Sequence, residues 1–188
     1  QCDWSSDVCS SDLDAAVATQ GDDAVPYRTG SARFDGQSAI AIHQMTVLGL
    51  GQVVRQHPDL RPRYLPAMRR AADHLVDPRT HPYAASRYGA HGSVAMAPGQ
   101  GHAYMGYINL ALGMLRLVDP DTPHASLHDR VTAHLMRELD RSPHGMIETY
   151  PGEAWPPDVA AVVGSIGLHG EATDGLHARL LSRWAEHF

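Results

Sequence analysis

Apolar residues along this chain fall into two kinds of run, and the two kinds alternate. One kind is apolar on every face and rich in small residues: Ala39-Ile40-Ala41-Ile42, Leu110-Ala111-Leu112-Gly113 and Val159-Ala160-Ala161-Val162-Val163-Gly164. A helix that is apolar all round is expected to be buried all round. The other kind is amphipathic. Leu127, Val131, Leu135 and Leu139 recur at helical spacing, with His128, Asp129, Arg130, Arg137 and Glu138 filling the remaining faces. Leu176, Leu180 and Leu181 do the same among Arg179, Arg183 and Glu186. Such a helix turns one face to the core and the other to water. The pattern predicts six helices in three pairs: 37–56 with 62–76, 101–118 with 124–140, and 157–169 with 174–187.

Turn residues separate the partners of each pair: His57-Pro58-Asp59, Asp119-Pro120-Asp121-Thr122-Pro123, and the stretch 170–173. Proline, aspartate and glycine at these positions are helix stop and start signals. Connections this short make antiparallel neighbours. The fold class is therefore all-α, built from antiparallel helical hairpins. The pairs repeat at roughly 55 to 65 residues, a spacing that suggests stacked helical units. A buried inner helix alternating with an amphipathic outer helix resembles a partial (α/α) toroid. That is the architecture of six-hairpin glycosidases, glucuronyl epimerases and linalool dehydratase-isomerase. A solenoid of helix pairs is the competing arrangement. The toroid is favoured because the inner helices are too apolar to line an open groove, and because long loops precede them.

The resemblance implies a central funnel built by the loops that lead into the inner helices. The first such loop, 28–36, carries Arg33, Phe34 and Asp35; the second, 83–102, carries Tyr88, His91, Gln100 and His102. The third, 144–158, carries Glu148, Tyr150, Glu153, Trp155 and Asp158. The connections within hairpins hold turn residues only, and this asymmetry marks the long-loop face as the place for a site. Paired carboxylates can serve as general acid and base when their surroundings split their pKa values. The catalytic candidates are Glu148, Tyr150, Glu153 and Asp158, with His102 and Tyr104 beside them. Candidates for contact with substrate are Trp155, Tyr107, Tyr88, His91, Arg33 and Asp35. Each has a plainer reading. Asp158 follows Pro157 ahead of an apolar helix, where a carboxylate serves as an N-cap or first-turn anchor. Trp155 reads as packing before it reads as a platform. Tyr104 and Tyr107 share one helix face, where core tyrosines are common. His43 reads as a satisfied core histidine.

Composition changes this picture in one place. Residues 3–13, DWSSDVCSSDL, resemble the translation of a widely used short-read sequencing adapter, in one frame throughout. Such a scar is set aside before fold reasoning. The organisation expected is then an artefactual or disordered tail at 1–13, a loop segment at 14–36, and three hairpins at 37–188. Both cysteines, Cys2 and Cys9, fall inside the tail. The hairpins therefore hold no disulfide, thiolate metal site or thiol nucleophile. This departs from linalool dehydratase-isomerase, whose chemistry involves cysteines. The true N-terminus is expected to be missing, so cytoplasmic localisation is a default only. Three hairpins are half of six, so part of a toroid is expected to be missing as well.

The remaining chemistry is mostly exclusion. The chain has no lysine, and no arginine stripe interleaved with aromatics, so nucleic acid is not the expected partner. No apolar run reaches the roughly 20 residues of a membrane span. Thirteen histidines invite a metal, and His124 and His128 have the i, i+4 spacing of zinc ligands. The glutamate of that motif is absent, and the pair opens an outer helix expected to face water. No metal and no cofactor are expected. Gly49-Leu50-Gly51 falls mid-helix, so it is no dinucleotide fingerprint. Gly164 to Gly167 reads as close helix packing. The expectation is an enzyme using acid/base chemistry on a carbohydrate or small hydroxylated apolar substrate, by hydrolysis, elimination, isomerisation or epimerisation. The alternative is a non-catalytic helical scaffold that binds a partner through its long-loop face. A half toroid exposes apolar flanks, which would call for a partner such as a second copy of the chain.

Overall fold

The computed structural model describes residues 32–77, 105–149, 152–175 and 177–186. Among them every regular element is helical. In chain order these are α1 (Ala32–Gln56), a 3₁₀ turn (Pro58–Leu60), α2 (Arg61–Val76), α3 (Met105–Val118), α4 (Ala125–Arg141), α5 (Pro156–Thr173) and α6 (Ala178–Ala185). Three pairs were expected, and three pairs are present. The starts of α2, α4 and α5 agree to within one residue, whereas α6 starts at Ala178 and not at the expected 174, because α5 runs on to Thr173.

The apolar helices α1, α3 and α5 form an inner row, with α3 in the middle. The amphipathic helices lie outside them. Helix α2 packs on α1 and α3, α4 on α3 and α5, and α6 on α5. The inner helices run parallel. Gly106 lies against Val162 near their starts, Asn109 bonds Ser165, and Gly113 meets Leu168 further on. Helix α4 runs the other way along α3: Asn109 bonds Thr132, while Gly113 faces His128. Hairpin partners are thus antiparallel, as their short turns require.

Two devices set the helix spacing. The first is glycine on α3. A Cβ on Gly106 would stand 2.6 Å from the Val162 backbone nitrogen, so only hydrogen fits there. The second is Asn109, fully buried, whose amide donates to Thr132 Oγ1 and Ser165 Oγ, each at 3.0 Å. Ser165 Oγ in turn donates to the Val162 carbonyl. One side chain thereby ties three helices together with every partner satisfied, the condition under which a buried polar group specifies packing. At the other end of α3, Asp119 is buried and receives Arg69 through two nitrogens (2.8 and 2.7 Å) and Arg61 at 3.1 Å. This fastens α2 to the turn between α3 and α4.

Several expectations need correction. Helix α1 begins at Ala32, so Arg33 and Asp35 lie in a helix and not in a loop; Gly36 is too weak a breaker to stop it. Helix α5 continues through Thr173, past the turn expected at 170–173. It closes instead at Asp174, left-handed with φ 53°, where the Gly175 N–H donates to the Gly170 carbonyl at 3.0 Å. This six-to-one bond is a Schellman closure, with aspartate taking glycine's usual place. Burial all round holds for α3 but not for its neighbours. Ile42 and Met45 on α1 are 37% and 62% exposed, and Ala160 and Gly164 on α5 also face out. Gly164 and Gly167 touch neighbours only at ordinary contact distance, so the close approach is made by Gly106 instead. No helix among the described residues is long and apolar enough to cross a membrane.

Candidate functional site

Parallel inner helices put the starts of α3 and α5 at one end of the molecule, and the loop before α5 lies over that end. Trp155 is the N-cap residue of α5, Pro156 and Pro157 occupy the first two helical positions, and Asp158 stands in the first turn. Proline suits these positions because its missing N–H is not needed there. The carboxylate of Asp158 stands at the positive end of the helix dipole. Its Oδ1 accepts the Tyr107 hydroxyl from the first turn of α3 at 2.5 Å. Its Oδ2 accepts the Thr149 hydroxyl from the loop at 2.7 Å. The Thr149 N–H donates to the Glu153 carbonyl at 2.8 Å, which folds the loop back on itself. Gly152, with φ 80°, makes the reversal that this bond needs. The result is a half-buried carboxylate held by two hydroxyls from separate segments.

Of the sequence-derived candidates, Tyr107 and Asp158 are therefore brought together. Glu148 and Glu153 lie on the same loop but are exposed. Trp155 is 51% exposed, which corrects the packing reading. Its Nε1 reaches Glu153 Oε2 at 3.4 Å. Tyr150, His102, Tyr104, Tyr88 and His91 lie outside the described residues. So do the side chains of Arg33 and Asp35. The sequence ranked Tyr107 only as a contact residue and gave Thr149 no role. The spacing of Thr149 to Asp158 carries no signal until Gly152 folds the loop.

A second polar cluster occupies the opposite end, where α3, α4 and α5 approach the start of α6. His169 on α5 is its hub. One ring nitrogen, Nε2, meets Asp129 Oδ1 at 2.9 Å, and the other, Nδ1, meets His177 Nε2 at 3.0 Å. Arg116 of α3 also bonds Asp129. The ring of His128 stands edge-on to His169, with centroids 4.7 Å apart. His128 is fully buried, and neither of its ring nitrogens has a hydrogen-bond partner. Burial, then the neighbouring His169 and Arg116, lowers its pKa to about 3, so the ring is neutral at ordinary pH. This corrects the expectation that His124 and His128 both face water. The four-residue periodicity puts Leu127 and Val131 inward, and His128 shares enough of that face to be enclosed by Gly113. His124 bonds Asp73 Oδ1 at 2.7 Å on the other side of α4. Among the described residues no group of three or more histidines and carboxylates is placed to hold a metal ion. His43 is buried and stacks on His74 with centroids 4.8 Å apart.

The fold and its polar ends define an all-helical protein of paired helices in two layers. No protein-family model, curated protein or solved structure matches the chain.

Proposed function

We propose that the chain carries one wall of an acid/base active site of the α/α-toroid kind, acting on a carbohydrate or small hydroxylated apolar molecule. The observation that carries this reading is the Tyr107–Asp158 hydrogen bond at the loop-covered end of the inner helices. A phenol whose proton is held by a carboxylate can relay a proton from a substrate hydroxyl. Proton transfer from that hydroxyl to the tyrosine oxygen is then coupled to transfer of the tyrosine proton to Asp158. The reverse motion delivers a proton to a leaving oxygen. Hydrolysis, elimination and epimerisation all need one of these two motions. Exposed Trp155 supplies an apolar face beside the dyad, and exposed Glu153 a second carboxylate on the same loop. Parallel inner helices paired with antiparallel outer ones support the toroid-like arrangement.

A partner-binding scaffold is the second reading. It is favoured by one fact: both oxygens of Asp158 are already engaged by its own chain, as a structural clamp would be. Turnover separates the two. The full chain is incubated with a panel of nitrophenyl glycosides and monoterpene alcohols, and products are read by absorbance and mass spectrometry. Turnover that falls by about 10²- to 10⁴-fold in Asp158→Asn, and falls in Tyr107→Phe, is the expected result. No turnover by the wild type, or full turnover by Asp158→Asn, overturns the enzyme reading. Glu153→Ala with intact turnover removes Glu153 alone from the mechanism.

A further inference from the structure

The histidine cluster at the far end has a proton count that fixes what it can do. A carboxylate can only accept, so His169 Nε2 must carry a hydrogen to bond Asp129. The contact between His169 Nδ1 and His177 Nε2, at 3.0 Å, needs one hydrogen between two nitrogens. Both conditions are met with both rings neutral. They are also met when the pair holds one added proton. They fail when both rings are cationic, because two N–H groups then point at each other across the same 3.0 Å.

We propose that the His169–His177 pair is an acid-sensitive latch that holds α6 on α5 and releases it when both rings are protonated. His177 stands immediately before the first residue of α6. The pair is a polar link between α5 and the residue that opens that helix; Leu181, packed near Gly167, is an apolar one. Charged and titratable groups reach the pair from three elements. From α3, Arg116 adds a positive charge one bond beyond Asp129. From α4, Asp129 offers a single negative charge that Arg116 shares, and His128 offers a neutral ring with no acceptor turned to the pair. On α5 itself, Glu171 is engaged by Arg55 of α1 at 2.7 Å, and Asp174 is exposed. Thr173 donates to the His169 carbonyl, so it stabilises the helix end in either state. Burial and the neighbouring His169 hold the pKa of His177 below the ordinary 6.5. Protons reach the pair without unfolding. His177 lines a groove of about 460 Å³ together with Gly170, Glu171, Asp174, Gly175 and Leu181.

The latch is tested by hydrogen exchange on the full chain between about pH 7 and about pH 4, corrected for intrinsic rates. The reporters are the α6 amides of Leu181 and Glu186, bonded to the carbonyls of His177 and Ser182. Once the second proton binds, their opening constant should rise about tenfold per pH unit, ahead of the amides of α3. In His177→Gln, which keeps one donor and cannot become cationic, that slope should vanish. Unchanged α6 protection across the range overturns the proposal, as does an equal slope in His177→Gln. Ring ¹⁵N shifts of the wild type give a second measurement that needs no variant. Both His169 and His177 must be doubly protonated at the pH where α6 opens. Opening while either ring is still neutral contradicts the latch.

Discussion

The two ends of the inner helix row solve the same problem in opposite ways. At the start of α5 a carboxylate is held by two hydroxyls from separate segments, at the positive end of the helix dipole. At the end of α5 the polar groups are imidazoles, whose donor and acceptor roles change with each proton. One end is an anchor in which a tyrosine and a threonine clamp one carboxylate. The other is a junction whose bonds depend on pH. Polar residues at helix ends are thus not interchangeable fillers: the dipole's sign favours a carboxylate at the first end and a positive charge at the second.

Gly106 lets α3 and α5 approach closely enough for Tyr107 to reach Asp158. Gly106→Ala drives a methyl into the Val162 backbone and should cost about 3 kcal/mol, read by urea unfolding. A cost under about 0.5 kcal/mol would mean the two helices part freely, leaving the anchor without a fixed frame.

The next test acts on the far end alone. His128 is neutral when folded and takes a proton near 6.5 when unfolded, with a folded pKa of about 3. Its neutral form is therefore favoured by the fold. Its contribution is fully present above about pH 6.5 and is lost as the pH falls towards 3. Stability should drop by about 1.4 kcal/mol per pH unit in that window, giving about 2 kcal/mol between pH 6.5 and pH 5. His128→Phe should flatten most of that slope. A wild type whose stability does not change from pH 6.5 to pH 5 would rule out a buried neutral ring.

The smallest effect is expected at the near end. Thr149→Val removes one of the two hydroxyls on Asp158 and should cost about 1 kcal/mol, with little change in pH dependence. A pH-dependent loss would blur the distinction between a fixed anchor and a titrating junction.

Much of the fold was legible in the sequence because hydrophobic periodicity is a local property. The apolar run around Leu110 and the four-residue repeat through Leu135 declare an inner and an outer helix without any tertiary information. Helix ends were less legible. Asp174 takes a left-handed cap that glycine usually signals, so α5 ran four residues further than Gly170 suggested. The site was legible in part. Asp158 reads both as a first-turn carboxylate and as a catalytic candidate, and it stands in the first turn of α5. Thr149 was invisible because its role depends on a loop reversal at Gly152. His128 was misplaced because a histidine at the edge of an amphipathic stripe is decided by what packs over it, here the bare surface of Gly113.

The central claim is that ligand chemistry belongs to the Tyr107–Asp158 end and not to the histidine end. Amide chemical-shift mapping with a methyl glucoside and a monoterpene alcohol tests it most directly. The account predicts saturable shifts at Tyr107, Glu153, Trp155 and Asp158. Shifts confined to the groove between Gly167 and Leu181, or no shifts with either ligand, would contradict it.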